Sequence, residues 1–547
     1  MERFSSHGGG NLFHVLSSSR TFPHLMNRLF LLFLFLLAAG TNLQAAQTEA
    51  SLVPDDPSFD SLAIQHRGRI KPFLSFAQEI ATTLTGRTSV QLPDLGKVGA
   101  RRLILSLWME PAGWDQEPIL LVEDPSLRQE LGLTEHTRLF SLRRLSALPR
   151  LAQLSAMAES ARASGSRDSV PPAAAAAQIV TLRVNLLQSI LSGEAMRMIP
   201  PPEGSLPGAP WAPASGQIKS PSAISEIQSH ARLPQTKLAL EVLYLKFHPF
   251  RWAWVCWLLA ALLLVAAGKE KSSRTLSLGW AFSLLGSLLL VTGFAVRIWI
   301  AGRPPVTNMY ESILWVAFGT SLFAIFFASR YRTPAYLLAA SPVVILALVA
   351  SDLQPAVLDP SLNPLVPVLR SNFWLTIHVL TITLSYGAFA LATALGHFLV
   401  FRSLQARALP SVTDAGVIQL YRCLQIGVLL LAAGVILGGV WANYSWGRFW
   451  DWDPKETWAL IALLSYIILL HGRLGGWWGG YGLAVGSIAC FLTILMAWYG
   501  VNFVLGKGLH SYGFGNGGQF YVGLFALLEL LFILFALVRR PRPAPSS

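Results

Sequence analysis

The chain has 547 residues, 53% hydrophobic and only 13% charged, with a mean hydropathy of +0.49 and a formal net charge of +13. That balance excludes an ordinary soluble domain and indicates an integral membrane protein. The positive charge does not indicate nucleic acid, because most Lys and Arg residues fall in short segments between apolar runs, where they orient helices in a bilayer.

In chain order, Arg20 and Arg28 precede the apolar run LFLLFLFLLAAG and the small-residue stretch NLQAAQ. The run is too short for a comfortable span, so residues 1–46 read as a signal peptide, with an uncleaved signal anchor as the alternative. Residues 47–248 are far more polar and include charged amphipathic stretches such as EDPSLRQELGLTEHTRLFSLRRLSAL. They are predicted to form an extracytoplasmic, mainly helical domain, interrupted by the loop-like segment PPPEGSLPGAPWAPASGQ.

Residues 249–540 form the membrane domain, followed by a cytoplasmic tail at 541–547. Nine apolar runs are expected to span, near 250–268, 276–301, 309–328, 334–351, 373–401, 424–442, 457–472, 481–503 and 519–538. Each is long enough for roughly 30 Å of hydrocarbon. Lys269, Lys271, Arg274, Arg330, Arg332, Arg402, Arg407, Arg422, Arg473, Arg539, Arg540 and Arg542 fall on one side of such a topology. The other side carries chiefly Arg303, Arg370, Arg448, Lys455 and Lys507. The positive-inside rule therefore agrees with an exported N-terminal domain. The fold class is an all-α polytopic membrane protein preceded by that domain.

Cys256, Cys423 and Cys490 lie in or beside apolar runs, and no CxxC occurs, which excludes a disulfide framework, a zinc site or a thioredoxin-like motif. The absence of CxxCH excludes a c-type cytochrome carrying its own haem.

The segment at 443–458 holds the most unusual composition. Within WGRFWDWDPKETWAL, Trp446, Trp450, Trp452 and Trp458 surround Asp451 and Asp453, between two apolar runs. One or two indoles at a membrane boundary are an ordinary aromatic belt. Four of them offer flat apolar faces for a large planar ligand, and Arg448 and Lys455 suit carboxylates on it. A planar apolar molecule with acidic side groups is haem. Asp453 followed by Pro454 equally suits a helix cap, with Glu456 in the first turn.

Haem takes imidazole as an axial ligand. His378 lies about five residues into the fifth span and His510 just beyond the eighth, both on the side of the tryptophan loop. A buried core histidine and a solvated loop histidine are the bland alternatives. His471 ends the seventh span, about 20 Å along the helix from Trp458, too far to share an iron with the outer pair. His397 reads as an interfacial residue. A transporter would want repeat symmetry, which is not evident, and a diheme electron carrier would want matched histidine pairs on two helices, which is not the pattern here.

These residues carry a resemblance. WGRFWDWDPKETWAL resembles the tryptophan-rich WWD signature of cytochrome c assembly proteins of the CcsA/ResC branch, System II. GRPPVTNMYES at 302–312, RSNFWLTIHV at 370–379, LLHGR at 469–473 and LHSY at 509–512 follow in the family's order. The resemblance covers roughly residues 280–515. LAIQHRGRIKPFLSFAQEI at 62–80 also resembles a segment ahead of the core in long or fused members.

The resemblance implies b-type haem as cargo, with His378 and His510 as axial ligands at the WWD loop and His471 in an inner haem site. It implies thioether attachment to CxxCH of apocytochrome c, as a component of a holocytochrome c synthase in the bacterial cytoplasmic membrane. Thiol-reducing components and a ResB-like membrane protein are the implied partners besides the lipid bilayer. Fused members carry the ResB part themselves; here it is expected on a separate chain. A haem exporter without ligation activity is the alternative.

Overall fold

Apolar length dictates most of the architecture. The computed structural model describes residues 50–163, 170–206, 208–215, 218–270, 273–305, 307–353, 357–364, 372–505 and 518–541. Nine helices occupy the nine expected runs. They are α1 (Pro249–Glu270), α2 (Ser273–Ala301), α3 (Met309–Tyr331), α4 (Ala335–Leu353), α5 (Asn372–Ala406), α6 (Ala415–Trp446), α7 (Pro454–Leu474), α8 (Gly480–Leu495) and α9 (Gln519–Val538). A π-helical stretch, Met496–Leu505, continues α8.

The protein is an all-α multi-pass membrane protein. Ten described helices are long and apolar enough to cross a bilayer. The one beyond the expected nine, Pro172–Leu191, belongs to the N-terminal domain, where Ala174, Ala177, Val180, Leu187 and Ile190 enter that domain's core.

Helix α5 is the hub of the bundle and packs on α3, α4, α6 and α8. Its apolar window is 72% buried, against 6% for α9, whose side chains mostly face outward. Close packing rests on absent side chains: a Cβ at Gly387 would stand 2.9 Å from the Gly319 carbonyl carbon, so α3 and α5 touch backbone to backbone.

The N-terminal domain is mainly helical, as expected, but it also contains three antiparallel strand pairs. Ala63–His66 pairs with Arg69–Pro72, Ser89–Leu92 with Gly96–Gly99, and Pro118–Leu121 with Leu139–Ser141. The first turns through Arg67 and Gly68, both at positive φ (48° and 75°), the conformation that suits a two-residue hairpin loop. Phe59, Phe73, Phe76, Trp108 and Trp114 fill the core.

Beneath the first hairpin, Lys71 donates to Glu79 at 2.5 Å, with His66 Nδ1 3.6 Å from the same carboxylate. Against the opposing effect of burial, the His66 ring and the Lys71 ammonium hold Glu79 down to a pKa of about 2.

The domain meets the bundle at the end that carries the tryptophan loop. Arg297 of α2 donates to the Tyr244 hydroxyl and to the Pro360 carbonyl. Arg297 and Arg303 both pair with buried Glu311, at 2.8 and 3.0 Å, and Thr307 donates to the same carboxylate. This cluster ties Arg303, Thr307 and the carbonyls of Pro360 and Asn363 together around one carboxylate.

Candidate functional site: an aromatic cavity behind the tryptophan loop

A cavity of ≈ 170 Å³ opens at that end of the bundle. Helix α5 supplies Leu375, His378, Ile382, Thr383 and Tyr386, successive positions on one face. Helix α6 supplies Gly438 and Trp441, and the tryptophan loop supplies Phe449 and Trp450. Lys455 and Glu456 come from the first turn of α7, Trp498 and Asn502 from the π-helical stretch, and Thr307 and Asn308 from the loop before α3.

His378 is the chemically distinctive wall residue. Its Nδ1 lies 2.8 Å from the Gly434 carbonyl. A carbonyl only accepts, so Nδ1 carries the proton and Nε2 carries the lone pair, the tautomer a metal ligand needs. The ring lies nearly parallel to Trp441, at 7° and 6.2 Å between centroids. A Cβ at Gly438 would come within 2.7 Å of His378 Cε1, so the missing side chain is what lets the imidazole lie against α6.

The loop is built by charge pairing as much as by aromatic contact. Helix α6 ends at Gly447, in the left-handed region at φ 74°. Asp453 caps α7 by accepting the Glu456 N–H at 2.9 Å, in a capping box with Pro454 at the first helical position. Glu456 in turn accepts the Asp451 N–H at 2.7 Å and the Asp453 N–H at 3.4 Å. Arg448 bonds Glu456 at 3.4 Å, reaches Asp451 at 3.2 Å and lies over the Trp446 ring. Trp450 and Trp452 meet edge to face at 5.7 Å.

The Trp450 indole nitrogen and the Asn502 side-chain oxygen are buried at the cavity and lack a hydrogen-bond partner among the described residues. A donor and an acceptor left in this state are what a polar-edged ligand would satisfy.

The expected site residues thus separate. His378, Trp450 and Lys455 line the cavity. Trp446 packs edge-on against Trp441 at 4.6 Å, one layer behind the wall. Trp452 is 68% exposed at the loop's outer side. Asp453 and Arg448 hold the loop, through the cap and the pairing with Glu456. His471 stands exposed at the opposite end of α7, its Nδ1 2.9 Å from the Ile467 carbonyl. His397 has both ring nitrogens engaged, by the Thr393 carbonyl at 2.9 Å and by Glu529 of α9 at 3.0 Å. His510, and the signal segment at 1–46, lie outside the described residues.

Gly438, Trp498 and Asn502 were not singled out in the sequence. A glycine in GVILGGVW and a polar residue in WYGVNF, both within apolar runs, are their only signals.

A many-helix membrane bundle with an aromatic cavity at one end defines the class. The family described as "Cytochrome C assembly protein" matches residues 306–510, which include most of the cavity wall. "Cytochrome c biogenesis protein CcsA" of Prochlorococcus marinus (strain NATL2A) is 36% identical over 281 residues, covering 45% of this chain and 87% of that one. The CcsA of Synechococcus sp. (strain CC9311) is 36% identical over 296 residues, 48% of this chain and 96% of that one. "Protein NrfI" of Wolinella succinogenes is 38% identical over 244 residues, 44% of this chain but only 26% of that longer protein. The solved structure of "Cytochrome c Heme Lyase CcmF" aligns over 55% of this chain with 19% identity and a TM-score of 0.38. The chain belongs to the CcsA-type family of cytochrome c biogenesis proteins.

Proposed function

We propose that this protein holds b-type haem in the aromatic cavity, at the outer face of the bacterial cytoplasmic membrane. There it presents the haem for thioether attachment to the CxxCH segment of apocytochrome c, as a complex with a ResB-like membrane protein. The observation that carries the reading is His378, an imidazole inside a membrane helix, on the cavity wall, with its tautomer set by the Gly434 carbonyl. An intramembrane histidine is costly unless it serves a site. The unpartnered Trp450 N–H and the Lys455 ammonium fit the propionates of haem.

Charge supports this orientation. Helix ends carrying Lys269, Arg274, Arg330, Arg332, Arg402, Arg407 and Arg473 lie at the end opposite the cavity, which supports an outward-facing cavity and N-terminal domain. His248, at φ 50° between the helix Gln235–Phe247 and α1, supports a domain division at 47–248 and 249–540.

The chemistry needs little from the protein beyond placement. A cysteine sulfur bonds to one vinyl carbon and the thiol hydrogen goes to the other, so no group leaves and no net oxidation occurs. The thiols must arrive reduced, which is the role of a thiol-reducing pathway. His378 and His510 hold the iron, and the histidine of the incoming CxxCH displaces one of them. Fixed haem and a docked peptide then react as effectively intramolecular partners. No residue is assigned as general acid.

The test is direct. His378→Gly and His510→Gly should abolish cytochrome c maturation and strip haem from the purified protein, and added imidazole should restore part of both by filling the vacant coordination position. Normal maturation in both variants would overturn the ligand assignment.

A further inference from the structure

We propose that Glu456 is the positioning residue of the tryptophan loop: its buried carboxylate pins the backbone from Asp451 to Asp453, and so sets the Trp450 indole against the cargo. This rests on the reading of the cavity as a haem site.

Glu456 is 8% exposed and touches the cavity. One carboxylate gathers two backbone amides and one guanidinium from the six residues that precede α7. Capping of α7 does not account for this. In a capping box the third helical residue reaches back to the cap residue's own N–H, and that bond is here the longer one, at 3.4 Å. The 2.7 Å bond goes to Asp451, two residues further out, where it contributes nothing to the helix end.

What it does is bracket Trp452. That residue adopts φ +59°, a left-handed conformation that a bulky side chain rarely takes. The amides on both sides of it, Asp451 and Asp453, end on the same carboxylate. Thr457 Oγ1 adds a bond to the Trp452 carbonyl itself, at 3.2 Å. Strained backbone persists where its surroundings over-determine it, and at such sites the strain commonly serves function. Trp450, whose indole nitrogen awaits a partner in the cavity, sits immediately before the bracketed segment and edge-on to Trp452.

The test compares Glu456→Ala with Glu456→Gln in the full-length protein, purified from membranes together with its partner. Three readouts are taken: haem per protein, the visible absorption bands that report six-coordinate iron, and the rate at which excess apomyoglobin removes haem. Gln keeps an acceptor oxygen for the two amides and loses only the charge opposite Arg448, so its haem content and bands should stay within about twofold of wild type. Ala releases the loop, and haem retention should fall about tenfold, the usual cost of losing a residue that orients a binding group, with a shift toward five-coordinate bands. If the Ala variant does not accumulate, Glu456→Asp replaces it: one methylene shorter, it withdraws from the Asp451 N–H and should show the same loss. Wild-type haem content and bands in Ala or Asp, with haem lost from Trp450→Ala and His378→Gly, would overturn the role of Glu456 alone. Haem retained in all of these variants would overturn the cavity reading with it.

Discussion

His378 occupies its position because Gly438 makes room and the Gly434 carbonyl fixes its proton. Gly438 is the sharper test of that statement. A methyl group there would stand 2.7 Å from the imidazole, so the ring or the α5–α6 spacing must give. Overpacking of this kind costs about 1–3 kcal/mol. Gly438→Ala should therefore lower haem content and alter the iron's absorption bands, in a protein that still inserts and purifies. Unchanged spectra would mean that the imidazole is not held against α6 when haem is bound. The contrast between His378 and Gly438 also marks how far single residues could be read. A histidine in NFWLTIHVLT is conspicuous because apolar neighbours make it expensive. The glycine that accommodates it is one of several in α6, and only the packing of α6 on α5 gives it a role. Trp498 and Asn502 are similar, since they join the cavity from a helix far along the chain.

At the scale of elements, apolar length identified all nine membrane helices, because the bilayer demands it of each separately. Short hairpins in the N-terminal domain escaped, since four-residue strands such as AIQH and RIKP show little alternation. The π-helical continuation of α8 escaped for a different reason: MAWYGVNFVL is apolar all round, so no periodicity distinguishes it from α-helix. The tryptophan loop is one element with two readings, platform or lipid anchor. Replacing Trp450 and Trp452 together by Ala should reduce co-purified haem and leave the amount of inserted protein unchanged. Reduced insertion with full haem content would favour the anchor.

The first hairpin of the N-terminal domain makes a pH-dependent prediction. Glu79 falls from 4.5 in a free side chain to about 2, because His66 and Lys71 stabilise its charge. Its contribution to stability is complete above about pH 4.5 and is lost as the pH falls toward 2. Near-ultraviolet circular dichroism of the purified protein should show the domain loosening across that window. Glu79→Gln should remove that acid dependence and destabilise the domain at neutral pH, by about 3–5 kcal/mol, because it leaves the Lys71 ammonium buried without its counter-charge.

At the scale of the whole molecule, the cavity and His471 lie at opposite ends of the bundle. Fifteen residues of α7 separate Glu456 from His471, about 22 Å, so no single iron joins them. His471 is exposed, and its Nδ1 is tied to the Ile467 carbonyl, which leaves Nε2 with the lone pair. An exposed imidazole in the ligand tautomer, at the periphery of a membrane bundle, is suited to a metal shared with a neighbouring chain. His397, on α5, is a poor substitute as a second ligand, because Glu529 and the Thr393 carbonyl occupy both of its nitrogens. Its pairing with Glu529 instead ties the sparsely packed α9 to the hub helix. Co-expression with a separate ResB-like membrane protein should therefore raise haem content and cytochrome c maturation together, and His471→Ala should blunt both. His397→Ala should leave haem loading near the wild-type level. Full haem loading and cytochrome c synthesis by this chain without the partner would sink the shared-site idea, and a strong loss of haem in His397→Ala would move the second ligand onto α5.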